Sequence, residues 1–180
     1  MKLVILDRDG VINHDSDEYI KSPAEWEPIE GSLEAIARLT SDGYRIIVAT
    51  NQSGVARGLF DLNMLHRIHT RMLEAVRARG GEVEAIFFCP HGPDDGCTCR
   101  KPLPGMFDEI ADRLKVNLSG VYAVGDSERD VVSARVAGAR PVLVRTGKGK
   151  QTLRKSKQLG DVPVFDDLNQ FATALLDEKL

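Results

Sequence analysis

The stretch KLVILDRDG, residues 2–10, decides the fold: four apolar residues, Leu3 to Leu6, are cut off by two carboxylates, Asp7 and Asp9. A strand covered on both faces reads as a continuous apolar run, without the alternation of a strand that has one wet face. In extended backbone, side chains two apart point the same way, so Asp7 and Asp9 converge and repel unless a cation, a proton or a chemical task accounts for them. Working outward, similar runs return at 44–50 (YRIIVAT), 83–89 (VEAIFFC), 120–126 (GVYAVGD), 140–146 (RPVLVRT) and, more weakly, 162–165 (VPVF). Between them lie segments of helical period at 32–43, 62–81, 104–114, 127–138 and 166–180, opened by residues such as Pro104 and closed by Gly43, Gly80 and Gly138. Strand then helix, repeated, predicts a three-layer, doubly wound α/β domain with a parallel sheet. The 180 residues suit one such domain, 1–180.

Composition narrows the partners. With 42% apolar and 28% charged residues and a net charge of -3, the chain reads as a globular protein that is neither a general nucleic-acid binder nor a membrane protein. No apolar run approaches the roughly 20 residues of a membrane span, and the N-terminus lacks a secretion-signal pattern, so the expected compartment is the cytoplasm. The three cysteines fall between Cys89 and Cys99, which suits a metal better than a disulfide framework.

In doubly wound sheets ligands bind beyond the carboxyl ends of the strands, where strand order reverses. The residues closing the predicted strands are chemically related: Asp7 and Asp9, Thr50 and Asn51, the CPH…CTCRK region, and Asp126. Strand-terminal DRDG, strand-terminal TNQSG, a lysine after CTCR, and VGDSERD together resemble the haloacid dehalogenase (HAD) superfamily of phosphohydrolases. The resemblance implies Asp7 as nucleophile forming an aspartyl phosphate, and Asp9 as the acid and base that shuttles one proton. It further implies Thr50 and Lys101 on the transferred phosphoryl oxygens. Mg²⁺ would sit on Asp7, the Asp9 carbonyl and Asp126, with Asp130 supporting from behind.

Cys89, His91, Cys97 and Cys99 offer three thiolates and an imidazole, the donor set of a closed structural zinc site, and the intervening GPDDG loop is too polar to hold itself together. With this loop at 89–99, and with DRDGVIN, CRKP and RTGKG, the chain resembles the D-glycero-D-manno-heptose 1,7-bisphosphate 7-phosphatases and their neighbours, the histidinol-phosphate phosphatases. That likeness implies a sugar phosphate substrate contacted by Arg100, by the turn Asp15, Ser16, Asp17, Glu18 and Tyr19, and by Asn51, Gln52 and Ser53. Ser127 stands where some members carry lysine. The spacing leaves no room for a cap domain, so loops must recognise the substrate, and Arg57, Arg100, Arg145, Lys148 and Lys150 are candidates for a second phosphate. His66 and His69 read as packing residues and Trp26 as packing at the sheet edge. A monomer is expected. The rival readings are histidinol-phosphate phosphatase, a non-catalytic zinc-stabilised module, and a nucleic-acid-end binder using the basic run 145–157.

Overall fold

The computed structural model describes residues 2–179. Six parallel strands, β1 (Leu3–Leu6), β2 (Arg45–Asn51), β3 (Ala85–Cys89), β4 (Tyr122–Gly125), β5 (Arg140–Val144) and β6 (Val164–Phe165), lie in the order β3-β2-β1-β4-β5-β6. The chain runs from β1 outward through β2 and β3, then crosses back to place β4 on the other side of β1, so the order reverses at β1. The carboxyl ends of β1 and β4 therefore flank the crevice where such sheets bind ligands.

Side chains alternate across the sheet with period two. Val4 and Leu6 point into a core shared with α1 (Ser32–Ser41), α2 (Leu62–Ala78) and α6 (Leu168–Leu176), through Ile36, Leu39, Ile68, Met72 and Phe171. Leu3 and Ile5 point the other way, with Ile47 and Ala49, onto Phe107 and Ile110 of α3 (Gly105–Leu114) and Ala134 of α4 (Glu128–Val136). Trp26, read as packing at the sheet edge, is buried within the first core, directly after the 3₁₀ turn Pro23–Glu25. Between β1 and β2 the only helices are this turn and α1, and between β2 and β3 only α2, so no cap domain covers the carboxyl ends. One element was not expected: α5 (Gly149–Lys155), whose sequence GKQTLRK carries no apolar stripe and buries only Gly149.

His69 illustrates the packing role of the α2 histidines. Its ring lies 5.9 Å from that of Phe88, and its Nε2 has no hydrogen-bond partner among the described residues. Burial, helped by the nearby Arg8 charge, holds its pKa down at about 3 against an ordinary 6.5. The folded protein thus binds fewer protons here than the unfolded chain, so this contribution to stability is full above 6.5 and is lost as pH falls towards 3. His69→Leu should remove that acid sensitivity, and at pH 5 the relative gain over the parent is about 2 kcal/mol. Urea melts of both proteins at pH 7.5 and pH 5 check it.

Candidate active site

Asp7 directly follows β1 and Asp126 directly follows β4, and the Asp7 N–H donates to Val124 O at 2.9 Å, docking the two strand ends. Asp130 reaches the same place from the first turn of α4. One carboxylate oxygen of each of Asp7, Asp126 and Asp130 lies within 4.8 Å of the others, and all three residues are buried. The electrostatic consequence is direct. Burial raises the Asp7 pKa to about 6, with Asp130 and Asp9 adding to the rise and Lys101 opposing it. Burial and the same neighbours, Asp130 and Asp7, push Asp126 well above the usual carboxylate range. For Asp130 burial is outweighed by Lys101 and Arg129, which hold it below that range. Two of three buried acids that resist ionisation mark a deficit of positive charge, and hard oxygen donors at this spacing fit Mg²⁺.

Lys101 supplies part of the missing charge. Its Nζ pairs with Asp130 Oδ1 at 2.6 Å and Asp7 Oδ1 at 3.1 Å and donates to Ala49 O at 2.8 Å. The Asn51 side-chain amide fixes its backbone reciprocally, donating to Lys101 O at 3.0 Å and accepting from Lys101 N at 3.1 Å. The end of β2 thereby holds the segment that follows the cysteine loop.

Asp9 belongs to a separate network. Arg8, fully buried, donates to its carboxylate through Nε and Nη2 at 2.8–3.0 Å. Asn13 and Gln52 each donate to it at 2.9 Å. Burial pushes the Asp9 carboxyl up, but these partners outweigh it and hold it below its ordinary range. Gln52 also donates to Thr50 Oγ1 at 2.9 Å, which leaves the threonine hydroxyl proton for another acceptor.

The turn after β5 locks Asp126. Lys148 N donates to Asp126 Oδ2 at 2.7 Å, Thr152 Oγ1 to Asp126 O at 2.9 Å, and Thr146 Oγ1 to Gly10 O at 2.6 Å. This close approach requires glycine: Gly147 has φ +53°, and a Cβ there would overlap Asp126 Oδ2 and the Gly10 Cα. Gly147→Ala should displace the Asp126 carboxylate, weakening Mn²⁺ binding by about tenfold or more, as read by electron paramagnetic resonance titration, with the melting temperature also lowered.

These groups open into a cavity of about 270 Å³ lined by Asp7, Asp9, Thr50, Lys101, Asp126, residues 15–17, Tyr19, Ile20, residues 51–53, Arg57, Arg100, Arg129 and Lys148. Beside it, Cys89, His91, Cys97 and Cys99 cluster. Cys89 Sγ lies 3.7 Å from Cys97 Sγ, 3.1 Å from Cys99 Sγ and 3.6 Å from His91 Nδ1, and Cys99 Sγ lies 3.4 Å from the same nitrogen. Tetrahedral bonds of about 2.3 Å set donor separations near 3.7 Å, so the cluster fits zinc.

The chain is 56% identical over 178 residues, 99% of each protein, to the D-glycero-β-D-manno-heptose-1,7-bisphosphate 7-phosphatase of Bordetella bronchiseptica. The chain belongs to the heptose 1,7-bisphosphate 7-phosphatase family. A second relative of the same name, from Pseudomonas putida, is 53% identical over 98% of this chain and 100% of its own. The HAD-hydrolase-like family profile matches residues 98–171. The crystal structure of the Bordetella heptose bisphosphate phosphatase, complexed with magnesium and phosphate, superposes with a TM-score of 0.97 at 56% identity over 99% of both chains. That of the Burkholderia thailandensis D,D-heptose 1,7-bisphosphate phosphatase gives 0.78 at 44% identity, covering 98% of this chain and 99% of its own.

Within this family frame, most of the residues singled out in the sequence come to one cavity, but Glu18, Ser127, Asp130, Arg145 and Lys150 do not line it. Glu18 is exposed at the outer end of its turn and does not line the cavity. Ser127 is the N-cap of α4: its N–H and hydroxyl both donate to Asp130 Oδ2, which turns it away from the cavity and into a neighbouring groove. Asp130, expected behind the centre, contributes an oxygen to the carboxylate cluster without lining the cavity, while the Asp9 side chain stands outside that cluster. Asn51 spends its amide on the Lys101 backbone. Two basic residues escaped the sequence reading. Arg8 could have been suspected as a charge flanked by two acids. Arg129 had no such local signal.

Proposed function

We propose that the chain is an Mg²⁺-dependent phosphatase that removes the 7-phosphate of D-glycero-β-D-manno-heptose 1,7-bisphosphate through an aspartyl phosphate on Asp7. The observation that carries the reading is the convergence of Asp7, Asp126, Asp130 and Lys101 at the sheet's switch point, in a chain 56% identical to an enzyme of that name. In the first half-reaction an Asp7 oxygen attacks phosphorus, the bond from phosphorus to the sugar oxygen breaks, and Asp9 gives its proton to the departing alkoxide. In the second, Asp9 takes a proton from water as that water attacks the phosphorus of aspartyl phosphate, releasing phosphate and restoring Asp7. The resting network holds Asp9 ionised, which suits the second half; an entering phosphate brings negative charge beside it and raises its proton affinity for the first. Lys101 and the free Thr50 hydroxyl proton stabilise charge on the transferred oxygens. Mg²⁺, held by Asp7, Asp126 and the Asp9 carbonyl with Asp130 in support, supplies electrostatic neutralisation of nucleophile and phosphate when bound. Residues 15–17, Tyr19, residues 51–53 and Arg100 form the sugar pocket.

On the same reading the chain acts as one phosphatase domain, a cytoplasmic monomer in nucleotide-activated heptose and lipopolysaccharide synthesis. Among the described residues no helix is long and apolar enough to cross a membrane.

A release assay with Mg²⁺ over heptose 1,7-bisphosphate and histidinol phosphate tests the function. Turnover of the heptose ester with retained C1 phosphate is expected; turnover of histidinol phosphate with the heptose ester inert overturns it. The cysteine cluster binds one structural zinc on this proposal. Stripping it with a strong chelator, then restoring Mg²⁺, should release about one zinc per chain and leave activity at a few per cent, because the loop that carries Arg100 and Lys101 loses its clip. Metal analysis beside the assay checks this.

A further inference from the structure

Arg129 and Lys148 are the two side chains that line both the carboxylate cavity, of about 270 Å³, and the neighbouring groove between α4 and α5, of about 490 Å³. Arg129 is half-buried in the first turn of α4 and makes no hydrogen bond or ion pair with any described residue. Burial disfavours its charge, yet the carboxylates of Asp130, Asp7, Asp126 and Asp15 outweigh that at longer range and keep it protonated. A guanidinium fixed in charge and left without a partner at a junction between two cavities is a built receptor for an oxyanion, which it can grip with two parallel N–H donors.

The other cations nearby are engaged. Arg8 serves Asp9 and Lys101 serves Asp7 and Asp130. Arg145 pairs with Asp166 at 2.8 Å, Arg100 donates to His91 O, and Arg57 lies over the Tyr19 ring. Lys150 lines neither cavity. Lys148 reaches Asp15 at 3.2 Å and Asp17 at 3.7 Å, a partly exposed contact of small worth that a stronger anion can replace.

We infer that Arg129, assisted by Lys148, is the specificity-determining residue of the site: it holds the second phosphate of the substrate, at the end remote from the ester being cleaved. This rests on the reading of the site as a sugar bisphosphate phosphatase. The competing role is a diffuse one, in which Arg129 only balances the buried acids and would affect every substrate alike.

The experiment compares wild type, Arg129→Met and Arg129→Lys on heptose 1,7-bisphosphate and on heptose 7-phosphate, which lacks the second anion. Arg129→Met should lower kcat/KM about 30-fold or more for the bisphosphate, chiefly through KM, and less than about threefold for the monophosphate. Arg129→Lys, a point charge without the planar fork, should recover part of the loss on the bisphosphate alone. Equal losses on both substrates, or no loss on either, overturn the inference while leaving the phosphatase reading intact. A wild-type enzyme inert on both esters overturns the two together. Calorimetric binding of the bisphosphate to Asp7→Asn and Asp7→Asn/Arg129→Met proteins gives the same comparison without turnover, and unchanged affinity there also overturns it.

Discussion

Asp7→Asn is expected to reduce phosphate release by about 10⁴-fold or more while making the metal-free protein more stable. Loss of activity follows from the proposed role: a carboxamide cannot replace the carboxylate in forming the acyl phosphate. The gain in stability follows from the environment. Burial raises the Asp7 pKa from 3.8 to about 6, so between those values the folded state binds more protons than the unfolded one. Stability therefore falls as pH rises through that window, and the penalty is complete above about 6. At pH 7 it is on the order of 2–3 kcal/mol, and an asparagine, which never ionises, escapes it. Thermal melts in chelator should rise by about 5 °C or more for a chain of this size. Added Mg²⁺ should then stabilise wild type more than the variant, and a destabilised variant with residual turnover near one per cent would remove Asp7 from the nucleophile's role.

Lys101→Met has the opposite effect on the fold. Nζ lies between Asp7, Asp130 and the Ala49 carbonyl, so its removal leaves buried acids facing one another without their cation. Breaking a buried pair from one side costs about 3–5 kcal/mol, and loss of the phosphoryl contact about 10²- to 10³-fold in kcat. Mg²⁺ should restore part of the stability but not the rate. Lys101→Arg should not rescue, because a planar guanidinium cannot fit where one nitrogen meets three oxygens. Melts with and without Mg²⁺ at pH 7, paired with the release assay, separate the two losses.

The strands were legible because a doubly covered parallel strand must be apolar throughout, and β1 to β5 carry that signature in LVIL and its counterparts. The candidate site residues could be picked out as well, since Asp7, Thr50, Lys101 and Asp126, which line one cavity, stand at or beyond strand ends, where sequence punctuation is strongest. The helix α5 was not legible: it covers the sheet's flank with a basic segment whose single buried residue is a glycine. Arg129 and the Ser127 cap were missed for a related reason. Which way a residue in a first helical turn faces depends on the crossover that aims the helix, and no local pattern records it. The partners of charged residues are likewise set by tertiary placement, so Lys148 could be marked as basic without any sign that its backbone N–H locks Asp126.

The pairing of Arg8 with Asp9 separates the half of the centre proposed to shuttle the proton from the carboxylate cluster proposed to hold the cation. The first is assembled by the polypeptide alone, so emptying the second leaves a folded vessel ready for refilling. Paramagnetic Mn²⁺ or coloured Co²⁺ can then take the place of a spectroscopically silent ion, turning the carboxylate triad into its own reporter.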